Sequence, residues 1–127
     1  MIAYDPELAP ESGAWLELDE SARIRSVEAH HRAAGITPRN PRLHAAMHAV
    51  VETQLAEEME TVNETVARLC AEGLSRHEAV HAVGIVLVSH LAGLVRPESS
   101  GTAAAEDYFR ALRALTAAGC RRPPPAE

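Results

Sequence analysis

The sequence predicts an all-α protein, a compact helical bundle of about five helices, and three observations carry that expectation. Alanine supplies 24 of the 127 residues and all 12 basic residues are arginine, so strong helix formers dominate. Strand formers are scarce, with only four aromatic residues in the chain. Apolar positions recur at helical spacing between sharp stop signals such as Gly35, Gly73 and Pro97. The length fits one domain, and at this size a chain buries roughly two-thirds of its unfolded surface. One core then suffices without a structural metal, so any metal present serves function.

The elements follow in chain order. Residues 1–20 hold Pro6, Pro10 and Gly13 and read as a loosely structured arm whose Trp15, Leu16 and Leu18 dock on the core. Residues 21–119 form the bundle, and residues 120–127, with three consecutive prolines, form a frayed tail. A first helix starts near Glu20 or Ser21 and runs to Ala34, with Ala22, Ile24, Val27 and Ala33 as its buried stripe and Gly35 as its stop. Asn40 followed by Pro41 is a sharp start, because Asn caps orphan amides and Pro suits the first helical position. From Leu43 to Leu69 no Gly or Pro interrupts the pattern. A break near Met59 to Thr61 is nonetheless expected, since Glu57, Glu58 and Glu60 crowd together and Thr61 with Glu64 has capping-box spacing. Gly73 ends that helix, and Ser75 with Glu78 opens another through Val95, stopped by Pro97. Thr102 caps a last helix ending at Gly119.

Charge and composition exclude several classes. Twelve basic against 18 acidic side chains give a formal charge of −6, with no basic block, which argues against nucleic acid. The longest apolar stretch, Val83 to Val95, contains Ser89 and His90 and falls far short of the ~20 residues that span a bilayer. The first eight residues are acidic and broken by proline, unlike a signal peptide, so a cytoplasmic location is expected. Cys70 and Cys120 lack metal-ligand spacing and read as free thiols.

Four of the seven histidines form two pairs at four-residue spacing, His44 with His48 and His77 with His81. On a helix that spacing stacks both imidazoles on one face, about 6 Å apart, as helical metal sites present two ligands. Glu52 extends the first pair by another four residues. The second pair lies in His77-Glu78-Ala79-Val80-His81, the zinc-protease pattern of two ligands with a Glu beside the first as general base. Here it falls in the first turn of its helix, where Glu78 serves equally as a cap for Ser75. One straight helix from Pro41 to Glu72 would hold His44 and His77 some 40 Å apart at about 1.5 Å per residue. With a break near residue 60, the helix from Ser75 runs parallel to the helix from Pro41, and both pairs reach one end of the bundle. The first helix delivers His30 and His31 there too. Adjacent positions point in different directions, so at most one of these two joins the site. His90 reads as a buried, hydrogen-bonded side chain.

The run Asn40-Pro41-x-x-His44-x-x-x-His48-x-x-x-Glu52-x-Gln54-Leu55, followed by Arg76-His77-Glu78-x-x-His81, resembles small all-helical bacterial proteins in families of unknown function. The resemblance covers about Asn40 to Val88. It implies a shared helical fold and a His cluster, and no activity. Relatives often carry Asp and Pro between the two motifs, where this sequence has Glu57 to Glu60.

The expectation is a metal-dependent protein with His44, His48, His77 and His81 as ligands of one divalent transition metal. Glu52 and Glu78 would be further ligands or catalytic bases. Zinc is favoured, with iron or copper as alternatives, because imidazole suits all three. Zinc with an open position would support hydrolysis of a small-molecule substrate, and iron or copper would support oxygen chemistry. A peptidase is disfavoured, since so small a bundle has little room for an extended cleft. A non-catalytic metal binder and a helical interaction module are the other classes. A homodimer is a further expectation, because Val83, Ile85, Val86, Leu87 and Val88 exceed the apolar stripe that one bundle face needs.

Overall fold

The computed structural model describes residues 3–95 and 101–121. Among these the chain is all-α, with helices α1 (Ser12–Glu17), α2 (Glu20–Ala34), α3 (Pro41–Ala56), α4 (Glu60–Ala71), α5 (Arg76–Val95), α6 (Gly101–Ala114) and α7 (Ala117–Arg121). Five of them are long enough to build the bundle, and α1 and α7 are single turns or little more. No described helix is long and apolar enough to cross a membrane.

The local signals at the helix ends are mostly the expected ones. Asp19 accepts the Ala22 amide at the start of α2, and Asn40 accepts the Leu43 amide at the start of α3. Gly35, at φ 71°, turns the chain out of α2 while the Ile36 amide reaches back to the His31 carbonyl. Gly73, at φ 112°, does the same after α4, with the Leu74 amide on the Leu69 carbonyl. Ser75 and Glu78 form a reciprocal capping box: the Ser75 amide donates to Glu78 Oε1 at 2.9 Å and the Glu78 amide to Ser75 Oγ at 3.1 Å.

The break between α3 and α4 falls where expected, but Thr61 and Glu64 do not make it. Glu58 adopts the left-handed conformation at φ 60°, and the Met59 amide bonds the Gln54 carbonyl, so α3 ends in a Schellman turn built without glycine. Asn63 braces the corner by donating to the Leu55 and Met59 carbonyls. Met59 precedes α4 with no side-chain cap.

Three boundaries differ from expectation. The arm is ordered: α1 buries Trp15 completely, and Arg23 clamps it by donating to the Trp15 and Leu16 carbonyls and to Thr53. Leu18 packs on the core while Leu16 stays exposed. On α2, Val27 is buried but Ala33 is exposed. The helix expected to run to Gly119 stops at Ala114 as α6 and is followed by the short α7, because the Arg68 guanidinium takes the Leu112 and Leu115 carbonyls and Glu72 receives the Ala117 amide. Thr102 lies inside α6 rather than ahead of it, and the stop at Pro97 and most of the C-terminal tail lie outside the described residues.

Two buried clusters make the core. Val51, Val62, Leu69, Val80, Val83 and Leu112 join α3 to α4, α5 and α6. Tyr4, Trp15, Val27, Ala45 and Ala49 join the N-terminal segment and α2 to the other side of α3. α3 is therefore the central helix, packed on α2 and on α5. Gly84 marks its close approach to α5, since an added methyl there would meet Met47 Cγ at 2.6 Å.

Candidate metal centre

Each helix delivers its imidazoles for a local reason. His31 sits in the last turn of α2, fixed by the Gly35 turn whose Ile36 amide holds the His31 carbonyl. His44 and His48 occupy successive turns of α3 after the Asn40-Pro41 start. His77 and His81 occupy the first turns of α5. The His77 amide, an orphan of that helix start, donates to the Glu7 carboxylate of the N-terminal segment at 3.0 Å.

The two pairs meet as the sequence requires, but not in the expected register. Parallel packing of α3 and α5 would set His44 beside His77. The near pairs are instead His44 with His81, 5.2 Å between ring centroids, and His48 with His77, 5.3 Å. From Glu52 with Arg76, through His48 with His77, to His44 with His81, the contacts run in opposite senses along the two helices, so α5 packs antiparallel to α3. The expected parallel arrangement does not form, because α4 packs mainly on α5 instead of retracing α3. His31 completes the group, 4.9 Å from His44 and 5.4 Å from His48, and His44 lies 4.9 Å from His48. Two imidazoles on one tetrahedral zinc place their centroids roughly 5 Å apart, given Zn–N bonds of about 2.0 Å. The observed spacings match that value.

Ligand atoms of His31, His48 and His77 lie within 4.8 Å of one another. Around a tetrahedral ion they would stand about 3.3 Å apart, a closure within reach of side-chain rotation. Ring centroids alone would choose His44 rather than His77 as the third member. Coordination is made by the nitrogen atoms, and these converge at His31, His48 and His77. His44 and His81 then flank the triad.

His31 and His48 are 4% and 0% exposed, yet neither nitrogen of either ring has a hydrogen-bond partner. A buried polar atom left unpaired costs on the order of 1–3 kcal/mol, and native chains rarely leave four together. Burial pushes the His31 imidazolium down to about 4 and that of His48 to about 2, with neighbouring histidines adding to both. His44 and His81 are also lowered, first by burial and then by nearby histidines. All four of these shifts favour the neutral imidazole, the form in which histidine ligates metal.

The two carboxylates expected to join the cluster are placed elsewhere. Glu52, 1% exposed, gives both oxygens to the Arg76 guanidinium at 2.7 and 2.8 Å, and Tyr4 Oη donates to Glu52 Oε2 at 2.5 Å. Arg76 also holds the Pro6 carbonyl at 2.9 Å. Glu52 is thus part of a buried ion pair rather than a ligand or base. Burial and the Glu52 charge raise the Tyr4 hydroxyl, keeping it a donor. Glu78 is committed to the capping box. His30 stands edge-on to Tyr4 and His77 and lies outside the nitrogen triad. His90 bonds the Val86 carbonyl through Nδ1 at 2.9 Å, and both cysteines are free.

A pocket of about 920 Å³ opens beside the cluster. His44, His77 and His81 form part of its wall, and Leu74, Ile85 and Leu115 contribute apolar surface.

Sequence reasoning left the choice between His30 and His31 open and missed two participants, Arg76 and Tyr4. His31 follows Val27 by four residues, so extending the stripe one turn would have chosen it over His30. Arg76 sat within a recognised motif but carried no periodic signal toward Glu52. Tyr4 belonged to an arm whose docking no local pattern reveals. The chain matches no known family profile, and no curated protein and no solved structure is detectably similar to it.

Proposed function

We propose that the protein binds one divalent transition metal, zinc by preference, through His31, His48 and His77, with His44 and His81 beside them at the pocket wall. The observation that carries this reading is the set of four buried ring nitrogens on His31 and His48 without partners. A metal where these imidazoles converge takes one nitrogen from each ring and so halves that deficit, and the junction of α2, α3 and α5 holds the rings in place. Zinc held there would supply a water that loses its proton near neutral pH. His44 and His81, outside the triad and facing the pocket, are then placed to accept a proton from a bound small molecule. Glu52, Arg76 and Tyr4 lock α3 to α5 and so fix the spacing of His48 and His77. The reading is a small metal-dependent hydrolase.

One observation favours a second reading. Five converging imidazoles exceed the three protein ligands of a catalytic zinc, so saturation by His44 or His81 would leave a non-catalytic binder. Elemental analysis of untagged protein tests the shared claim, with about one ion per chain expected and His48→Ala losing it. Metal-free wild-type protein that also fails to take up zinc, iron or copper on titration would sink both readings. With cobalt in place of zinc, d–d absorption that shifts on adding azide indicates an open position, and unchanged absorption indicates saturation.

A further inference from the structure

The walls of the 920 Å³ pocket divide by chemistry. Histidines 44, 77 and 81 and Glu78, whose carboxylate accepts the Ser75 amide, are its charged or ring-nitrogen lining, and Leu74, Ile85, Val86 and Leu115 are among its apolar lining. The volume lies in the upper range of small-molecule sites, which are mostly apolar with a few convergent polar groups. No arginine lines it and the chain has no lysine, so a phosphorylated or polyanionic ligand finds no cationic partners there. Few side-chain hydroxyls or amides line it either, which disfavours a sugar. Ile85 is 51% exposed at the pocket, a large apolar surface without a protein partner among the described residues.

We infer that this pocket binds a small molecule with an apolar body and a single oxygen-donor head. The head lies against His44, His77 and His81, and the body lies along Leu74, Ile85, Val86 and Leu115. The position of the head rests on the metal reading above, whereas the apolar body does not.

The test is calorimetric titration of the full zinc-treated chain with acetate, butanoate, hexanoate and octanoate, with zinc content measured on the same samples. Affinity is expected to rise with length, by up to about fourfold for each methylene fully buried. Ile85→Asp changes an exposed side chain and leaves the core intact. The added charge is expected to weaken both acids, octanoate at least tenfold more than acetate, with zinc content unchanged. A zinc-loaded protein with a flat length series overturns the pocket assignment and leaves the metal reading standing. Zinc-free protein that shows the length dependence supports the apolar body and removes zinc as the metal. A dimer abolished by Ile85→Asp in sedimentation, with a flat length series, gives Ile85 to a second copy and overturns the inference.

Discussion

Two groups one turn apart on α3 are equally buried and treated oppositely. Glu52, 1% exposed, has both oxygens paired by Arg76 and one also by Tyr4. His48, 0% exposed, has neither ring nitrogen paired. The chain can therefore satisfy a buried polar group at this depth and does so where the group holds the fold. The unpaired imidazoles are not a failure of packing in general. On the metal reading proposed above, satisfaction by protein partners marks a structural group and its absence one reserved for a ligand, and each half of that contrast is open to experiment.

The largest effect is expected on the satisfied side. Arg76→Met leaves the Glu52 carboxylate buried without its partner, which costs about 3–5 kcal/mol. Urea unfolding measures it directly. Adding Glu52→Gln should recover much of the loss, because the stranded charge is then gone. A single-variant loss below about 1 kcal/mol would show that Glu52 does not depend on the pair, and the contrast with His48 would collapse.

On the unpaired side the sign reverses. His48→Leu removes two unsatisfied nitrogens at similar volume, so the metal-free variant should be as stable as wild type or more stable, by about 1–2 kcal/mol. Zinc at a hundred times its dissociation constant should stabilise wild type by about 2.7 kcal/mol and the variant not at all. Acidity sharpens the difference. In the folded chain the imidazolium of His31 is lowered to about 4 and that of His48 to about 2, from 6.5. Below pH 6.5 the unfolded chain takes up protons that these folded residues refuse, so their contribution is intact above 6.5 and lost as pH falls. The metal-free urea midpoint should drop between pH 7 and 5, with a shallower drop in His48→Leu. A flat wild-type midpoint across that window would mean the rings are not held neutral.

What the sequence disclosed follows the range of the interactions concerned. Helix starts and stops at Asn40, Gly35, Gly73 and Ser75 depend on residues a few positions apart, and they were legible. Histidine pairs at helical spacing were legible for the same reason. The crosswise meeting of His44 with His81 depends on how α4 packs, which no local spacing records. Glu52 shows the limit best. Its four-residue step from His48 is the step a ligand would take, and only Arg76, 24 positions on, and Tyr4, 48 positions back, reveal that it is spent on the fold.

Glu78 gives the smallest effect and the finest discrimination, because the same five-residue motif reads it as a base while the structure gives it a capping partner. Its carboxylate accepts the Ser75 amide, and its own amide donates to the Ser75 hydroxyl. A glutamine keeps an acceptor at that position, so Glu78→Gln should preserve most of the cap, whereas Glu78→Ala should cost about 1 kcal/mol. Zinc content should be unchanged in both variants, since the nitrogen triad does not include this residue. Loss of zinc from Glu78→Gln, with stability preserved, would move Glu78 from the group that holds the fold into the group reserved for the ion. A satisfied carboxylate would then have proved functional, and partner-counting would no longer separate the two groups on its own.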